Sequence, residues 1–210
     1  VLIKHKDINM FFNNNKFILA STSKSRHKIL KNCGLNFLTQ KPNCNEDKTK
    51  KKLILEKKTA KKISLELARL KAKSICKKNK NNLVVGSDTI IYFNKKTLNK
   101  AKSMLKAKKT IKMLSGNTHT IYSSVSVYYN EKEVWNATEK TLVKIRSLKN
   151  EEIDLYLKKS GKKILFSVGC YQIEAFGPNI IEKIKGDFFN VMGFPLFPFL
   201  NFLKKFNIKK

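Results

Sequence analysis

Acidic residues are scarce: 15 Asp+Glu face 45 Lys+Arg in 210 residues, a formal charge of +30. Glycine (8) and proline (4) are scarce too, and beside 41% hydrophobic residues this excludes a collagen-like repeat and an unstructured chain. No uninterrupted apolar run approaches the roughly 20 residues that cross a bilayer, so no membrane helix is expected. Four cysteines, Cys33, Cys44, Cys76 and Cys170, show no C-x-x-C pairing. Neither a zinc site nor a disulfide framework is expected from them, and the reducing cytoplasm is the expected location. His27 and His119 stand far apart without a neighbouring ligand, against a metal–histidine centre. No Ser-His-Asp or Cys-His constellation can be argued, and no Walker pattern occurs.

Arginine is nearly missing as well. Arg26, Arg69 and Arg146 leave 45 − 3 = 42 lysines, and 21 asparagines bring Lys and Asn together to 63 of 210 positions. Dedicated nucleic-acid binders lean on arginine forks and stacking. A Lys/Asn excess fits codon drift in an A/T-rich genome, and it fits a selected polyanion-binding surface. Both readings favour anionic ligands, and nucleic acid is not expected as a specific partner.

What is present alternates between apolar strands and amphipathic helices. Residues 1–16 lack a usable period, an h-region or a cleavage site, and read as an N-terminal extension rather than a secretory signal. Residues 17–210 read as one domain. Phe17 to Ala20 reads as a buried strand, and Ser23 as the N-cap of a helix closed by Gly34. Residues 35–38 are strand-like, and the polar stretch holding Pro42, Glu46 and Asp47 reads as a lysine-rich loop. Ile63, Leu67 and Leu70 sit at i, i+4 and i+7, so residues 59–76 read as a long amphipathic helix. Residues 83–86 read as a strand entering Ser87-Asp88-Thr89, with Ile90 to Phe93 as its continuation, and residues 101–114 as a further helix. Residues 119–129 and 133–145 suggest an antiparallel pair turning at Asn130. Asn150 reads as the cap of a helix, short strands are expected near 170–174 and 179–184, and a helix closes the chain. The fold class is α/β with a mixed, twisted sheet and flanking helices.

Ser21 to Arg26 lies between a strand and a helix start. The free backbone N–H groups there, with the hydroxyls and the Arg26 fork, suit an anion. Simple serine capping explains the same residues. Asp88 ends a run of small and apolar residues at a strand end, where sites lie in open α/β sheets. It could hold a divalent cation or orient water, or only open a turn. Lys71, Lys100 and Glu46 are not separable by spacing from solvated surface residues.

Taken in order, these segments resemble the Maf family, the septum-formation-inhibitor-like nucleoside triphosphate pyrophosphatases. The stretch from Ile18 to Arg26 is similar to L-A-S-x-S-P-R-R, Asn45-Glu46 to the acidic step, and Leu70-Lys71-Ala72 to the helical K-A. Gly86-Ser87-Asp88-Thr89 resembles G-A-D-T or G-S-D, Asn99-Lys100-Ala101 stands for G-K-P, and Leu114 to His119 for L-S-G-x-x-H. Gly169 to Glu174 parallels A-G-x-Y-x-I-Q, and Gly186 to Pro195 the closing G-D-Y-x-x-V-x-G-L-P. The chain departs from the pattern at Lys24, Ser25, Ala101, Glu174 and Ala175.

The resemblance implies two lobes around a nucleotide-binding cleft, with a homodimer common. It implies hydrolysis of a nucleoside triphosphate between the α- and β-phosphates with Mg²⁺ or Mn²⁺. Asp88 would accept the proton of the attacking water and share the metal with Glu46. Ser21, Arg26, Lys71 and Lys100 would hold the phosphates. Thr89 and Glu174 would face the base; Thr89 looks like the pyrimidine-preferring branch and Glu174 like the methylated-GTP branch. The other readings carried forward are a polyanion-binding protein and a cell-division regulator acting through a protein partner.

Overall fold

The computed structural model describes residues 16–206. The expectation placed on the N-terminal extension falls, Lys16 apart, outside the described residues. The chain runs β1 (Phe17–Ala20), α1 (Lys24–Asn32), β2 (Phe37–Gln40), α2 (Glu46–Leu55), α3 (Ala60–Cys76), β3 (Leu83–Phe93) and β4 (Lys96–Thr97). It continues through α4 (Met104–Leu114), β5 (Thr118–Tyr129), β6 (Lys132–Ile145), α5 (Asn150–Ser160), β7 (Ile181–Lys185), α6 (Phe188–Met192) and α7 (Leu196–Lys205). The strands form one seven-stranded sheet in the order β2-β1-β3-β5-β6-β7, with β4 paired to β3. β1 is parallel to both β2 and β3, whereas β3–β4 and β6–β7 are antiparallel. The mixed α/β sheet read from the sequence is what forms.

Two compact units divide the chain. The first comprises the described residues through Asp88, then Ser123–Thr138 and the described residues from Gly193 onward. Its central strand β1 is buried at all four positions, as expected of a parallel strand covered on both faces. Leu19 pairs with Thr39 on one side and Val85 on the other, and Ala20 with Gln40 and Gly86. α3 starts at the Thr59 cap and buries the stripe Ile63, Leu67, Ala68, Ala72 and Ile75. Phe17 and Phe194 both meet the ring of Phe199 edge-on, at centroid distances of 5.4 and 5.3 Å. Burying a side chain of this size contributes roughly 1.5–3 kcal/mol. Trp135 is half-buried and stacks on Phe202 at 4.8 Å.

Gly86 sets the distance between α3 and β3. A Cβ there would stand 2.1 Å from the Ala68 carbonyl oxygen and 2.7 Å from the Ala72 nitrogen. Only glycine lets the helix backbone come this close to the strand.

The second unit comprises Thr89–Tyr122 and Glu139–Met192. Its core gathers Ala107, Ile111 and Leu114 of α4 with Ile121, Val143 and Ile153.

The structure departs from the sequence reading at several places, each with a local cause. The lysine-rich stretch expected as a loop is helix α2 from Glu46 onward. Asn45 caps it by accepting the Lys48 N–H at 2.9 Å, and Glu46 and Asp47 favour the positive end of its dipole. β2 starts two residues later than read, at Phe37, and α4 starts at Met104 behind the Ser103 cap. The cap position of α5 is Lys149, not Asn150, with the Glu152 carboxylate accepting the Lys149 N–H at 2.9 Å. The strand expected near 170–174 is a series of turns. Cys170 takes φ +57°, and the Gln172 carbonyl accepts the N–H groups of Ala175 and Gly177. The turn at Asn130 is as read, and Asn130 and Glu131 take φ of +48° and +64°, the left-handed pair that suits a two-residue hairpin turn.

Candidate functional site

β1 ends at Ala20 and the chain turns at once, the Ser21 N–H donating back to the Leu19 carbonyl at 2.9 Å. Ser23 is extended, and its Oγ accepts the Arg26 N–H at 3.4 Å, making it the N-cap of α1. Ser21 has a different role. Its Oγ accepts the Ser23 N–H at 3.2 Å and Arg26 Nη1 at 3.3 Å. Arg26 Nε donates to the Gly193 carbonyl at 2.8 Å, and the Ser87 hydroxyl to the same oxygen at 3.5 Å. The planar guanidinium is therefore fixed on two sides while 8% exposed. The capping reading thus accounts for Ser23 but not for Ser21. Burial pushes the Arg26 guanidinium below its ordinary pKa, and the carboxylates of Asp88 and Glu46 pull it back upward.

Lys71 lies on α3 between the two residues that press on Gly86. The close helix–strand approach brings its ammonium onto Asp88, which lies midway along β3 and not at the strand end read from the sequence, because Thr89 to Phe93 continue the strand. Nζ donates to Asp88 Oδ1 at 2.7 Å and to the Ser87 carbonyl at 3.4 Å. It also pairs with Glu46 Oε2, at 2.9 Å, from the first turn of α2. Lys71 and Asp88 are buried and Glu46 is about half exposed. Ser21, Arg26, Glu46, Lys71 and Asp88 are thus gathered in the first unit as two cations, two carboxylates and a hydroxyl. An open depression of about 790 Å³ lined by residues 41–47 lies at the head of α2.

The sequence reading missed three contributors. Lys50 stands one turn after Glu46 on α2. Burial lowers its ammonium pKa, while the charges of Asp88 and Asp47 raise it, so a third cation feels Asp88. The i, i+4 spacing from Glu46 was the available signal, hidden because the stretch read as a loop. Gly193 supplies the carbonyl that accepts from Arg26, at φ +102°, and the Ser87 carbonyl accepts from Lys71 Nζ.

The remaining candidates belong to the second unit. Thr89 follows Asp88 within β3 and is half-buried, Lys100 is exposed ahead of α4, and Glu174 is half-buried in the turns after Cys170. In the same unit His119 is buried, with Nε2 2.6 Å from the Tyr171 hydroxyl oxygen and with Nδ1 lacking a partner among the described residues. Desolvation lowers the His119 pKa to about 4 and raises that of Tyr171. A neutral imidazole beside an un-ionised phenol follows.

Among the described residues no group of three or more His, Cys, Asp and Glu is brought together as a metal cage. Glu46 and Asp88 both present carboxylate oxygens to Lys71. This oxygen-only pair fits a hard divalent ion that takes its other ligands from water and from a bound phosphate. No helix among the described residues is long and apolar enough to cross a membrane.

A family model described as Maf-like protein matches residues 16–206. A nucleoside triphosphate pyrophosphatase of Caulobacter vibrioides is 34% identical over 186 residues, 89% of this chain and 93% of its own length. A 7-methyl-GTP pyrophosphatase of Bartonella henselae is 37% identical, covering 91% of this chain and 96% of its own. A dTTP/UTP pyrophosphatase of Shouchella clausii is 37% identical, covering 92% and 97%.

Proposed function

The chain belongs to the Maf family, and from that premise we propose that it is a nucleoside triphosphate pyrophosphatase. Water attacks a nucleoside triphosphate between its α- and β-phosphates and releases a nucleoside monophosphate and pyrophosphate. The observation that carries this reading is the buried ammonium of Lys71 shared by Glu46 and Asp88, with Arg26 fixed nearby on Ser21 and Gly193.

A triphosphate carries close to four negative charges, which repel an incoming nucleophile. Phosphoryl-transfer catalysis is mostly positioning and charge stabilisation, so held cations matter more than covalent chemistry. Arg26 offers a guanidinium held in place by Gly193 and Ser21, Lys71 a point charge, and Ser21 a hydroxyl. The resemblance gives Lys100 a phosphate-holding role as well. Asp88 takes the proton of the attacking water. Glu46 and Asp88 would hold Mg²⁺ or Mn²⁺, whose charge helps neutralise the phosphates. Thr89 and Glu174 face the base. The named relatives include both 7-methyl-GTP and dTTP/UTP pyrophosphatases, so the substrate panel must span both.

Pyrophosphate release from purified protein over ordinary and modified nucleoside triphosphates tests the proposal. The runs include Mg²⁺ or Mn²⁺, EDTA, and Asp88→Asn alongside. Metal-dependent release that the variant loses supports it. No release from any nucleotide by folded protein rejects it.

A further inference from the structure

An ammonium has three N–H donors and no acceptor. Lys71 Nζ has three acceptors within reach: Asp88 Oδ1 at 2.7 Å, Glu46 Oε2 at 2.9 Å and the Ser87 carbonyl at 3.4 Å. Two of its donors are engaged in hydrogen bonds to Asp88 and Ser87, and the charge is also paired with Glu46. A phosphate oxygen that contacts Lys71 therefore competes with these partners for its charge.

The same ammonium stands where the two carboxylates converge. A divalent ion held by Glu46 and Asp88 would compete with Lys71 for the same oxygens, and two cations at one point repel each other. We propose that Lys71 is the resident cation of the nucleotide-free site, and that a divalent ion enters only with a polyphosphate that draws the ammonium away. Metal and nucleotide then bind with positive coupling, each raising the affinity for the other by the same factor. This inference rests on the pyrophosphatase reading.

Three further observations support the exchange. The formal charges of Arg26, Lys50 and Lys71 cancel those of Glu46, Asp47 and Asp88, so the free site offers a dication little net attraction. Two carboxylates are too few to cage an ion, and among the described residues no third His, Cys, Asp or Glu joins them; the missing ligands must come from water and the polyphosphate. The arm that gives way first is also apparent. Glu46 is about half exposed on the first turn of α2, whereas Asp88 is buried, so water can replace Lys71 at Glu46 at little cost. The flexible four-carbon stem of lysine permits the move without moving α3.

The test is Mn²⁺ titration of the full chain without nucleotide, following the spin-resonance signal of free Mn²⁺. Wild type is compared with Lys71→Met and Lys71→Gln, each checked by circular dichroism for fold. The expected result is no saturable binding at micromolar Mn²⁺ by wild type, and about tenfold or greater tightening in either folded variant, within the range of ordinary coupling. Saturable micromolar binding by free wild type overturns the exchange whether or not the variants fold. So does a folded variant that binds Mn²⁺ no tighter than wild type. Pyrophosphate release is read on the same wild-type sample. Turnover together with tight Mn²⁺ binding discards the exchange and leaves the pyrophosphatase standing. Absence of turnover with every nucleotide discards the pyrophosphatase, independently of what the titration gives.

Discussion

Gly86 lies so close to Ala68 that a Cβ on it would stand 2.1 Å from the Ala68 carbonyl oxygen. The nearest atoms are helix backbone, which cannot rotate aside, so Gly86→Ala must move α3 as a body. Overpacking of this kind costs about 1–3 kcal/mol. Lys71 moves with the helix, away from Asp88 and Ser87. The expected outcome is a lower urea midpoint, and a fall in turnover larger than the unfolded fraction explains. Wild-type midpoint and turnover in this variant would show that the contact does not set the Lys71 position.

The buried strands were legible because a parallel strand covered on both faces needs a continuous apolar run, and Phe17–Ala20 and the start of β3 supply one. α3 was legible from its stripe and its cap. α2 was not, because a helix that buries only Leu53 carries almost no apolar period. Its evidence lay in Asn45 followed by two acids, which a run of lysines obscured. Residues 170–174 alternate like a strand, yet the left-handed Cys170 and the Gln172 carbonyl fold them into turns. The site residues came from family resemblance, since 42 lysines defeat spacing arguments. What joins Arg26 to Gly193, 167 positions away, is tertiary packing, which no local pattern encodes.

Arg26→Lys keeps the charge and loses the fork. A lysine cannot hold Ser21 and the Gly193 carbonyl while facing a phosphate. Losing these buried hydrogen bonds costs about 1–3 kcal/mol. Nucleotide KM is expected to rise about tenfold, the scale of one charge-assisted hydrogen bond. Denaturation and steady-state kinetics on the same preparation check both. An unchanged KM would remove Arg26 from phosphate binding.

Asp88→Asn replaces the proton acceptor with an isosteric amide. The expected loss in kcat is about 10²–10⁴-fold, the usual contribution of a positioned general base. Nucleotide affinity measured without a divalent ion should change little, because Arg26 and Lys71 remain. Glu46→Gln should instead raise the Mg²⁺ or Mn²⁺ concentration needed for half-maximal rate. Equal kcat losses without a metal shift would argue that Glu46 does not share the metal. EDTA should abolish turnover by wild type.

His119 makes stability depend on pH in a definite direction. Its folded pKa is about 4 against an ordinary 6.5, because protonation would place a charge in a buried site where Nδ1 has no acceptor. The unfolded chain therefore binds the proton more readily than the folded one. The stabilisation from His119 is complete above pH 6.5 and is lost as pH falls toward about 4. A shift of about 2.5 units corresponds to about 3 kcal/mol. Melting temperature should fall through this window for wild type and fall less for His119→Gln. That variant starts from a lower plateau, having lost the contact to the Tyr171 hydroxyl, so the slope rather than the plateau carries the result. Parallel slopes in the two proteins would mean that His119 is already protonated in the folded state or accessible to water.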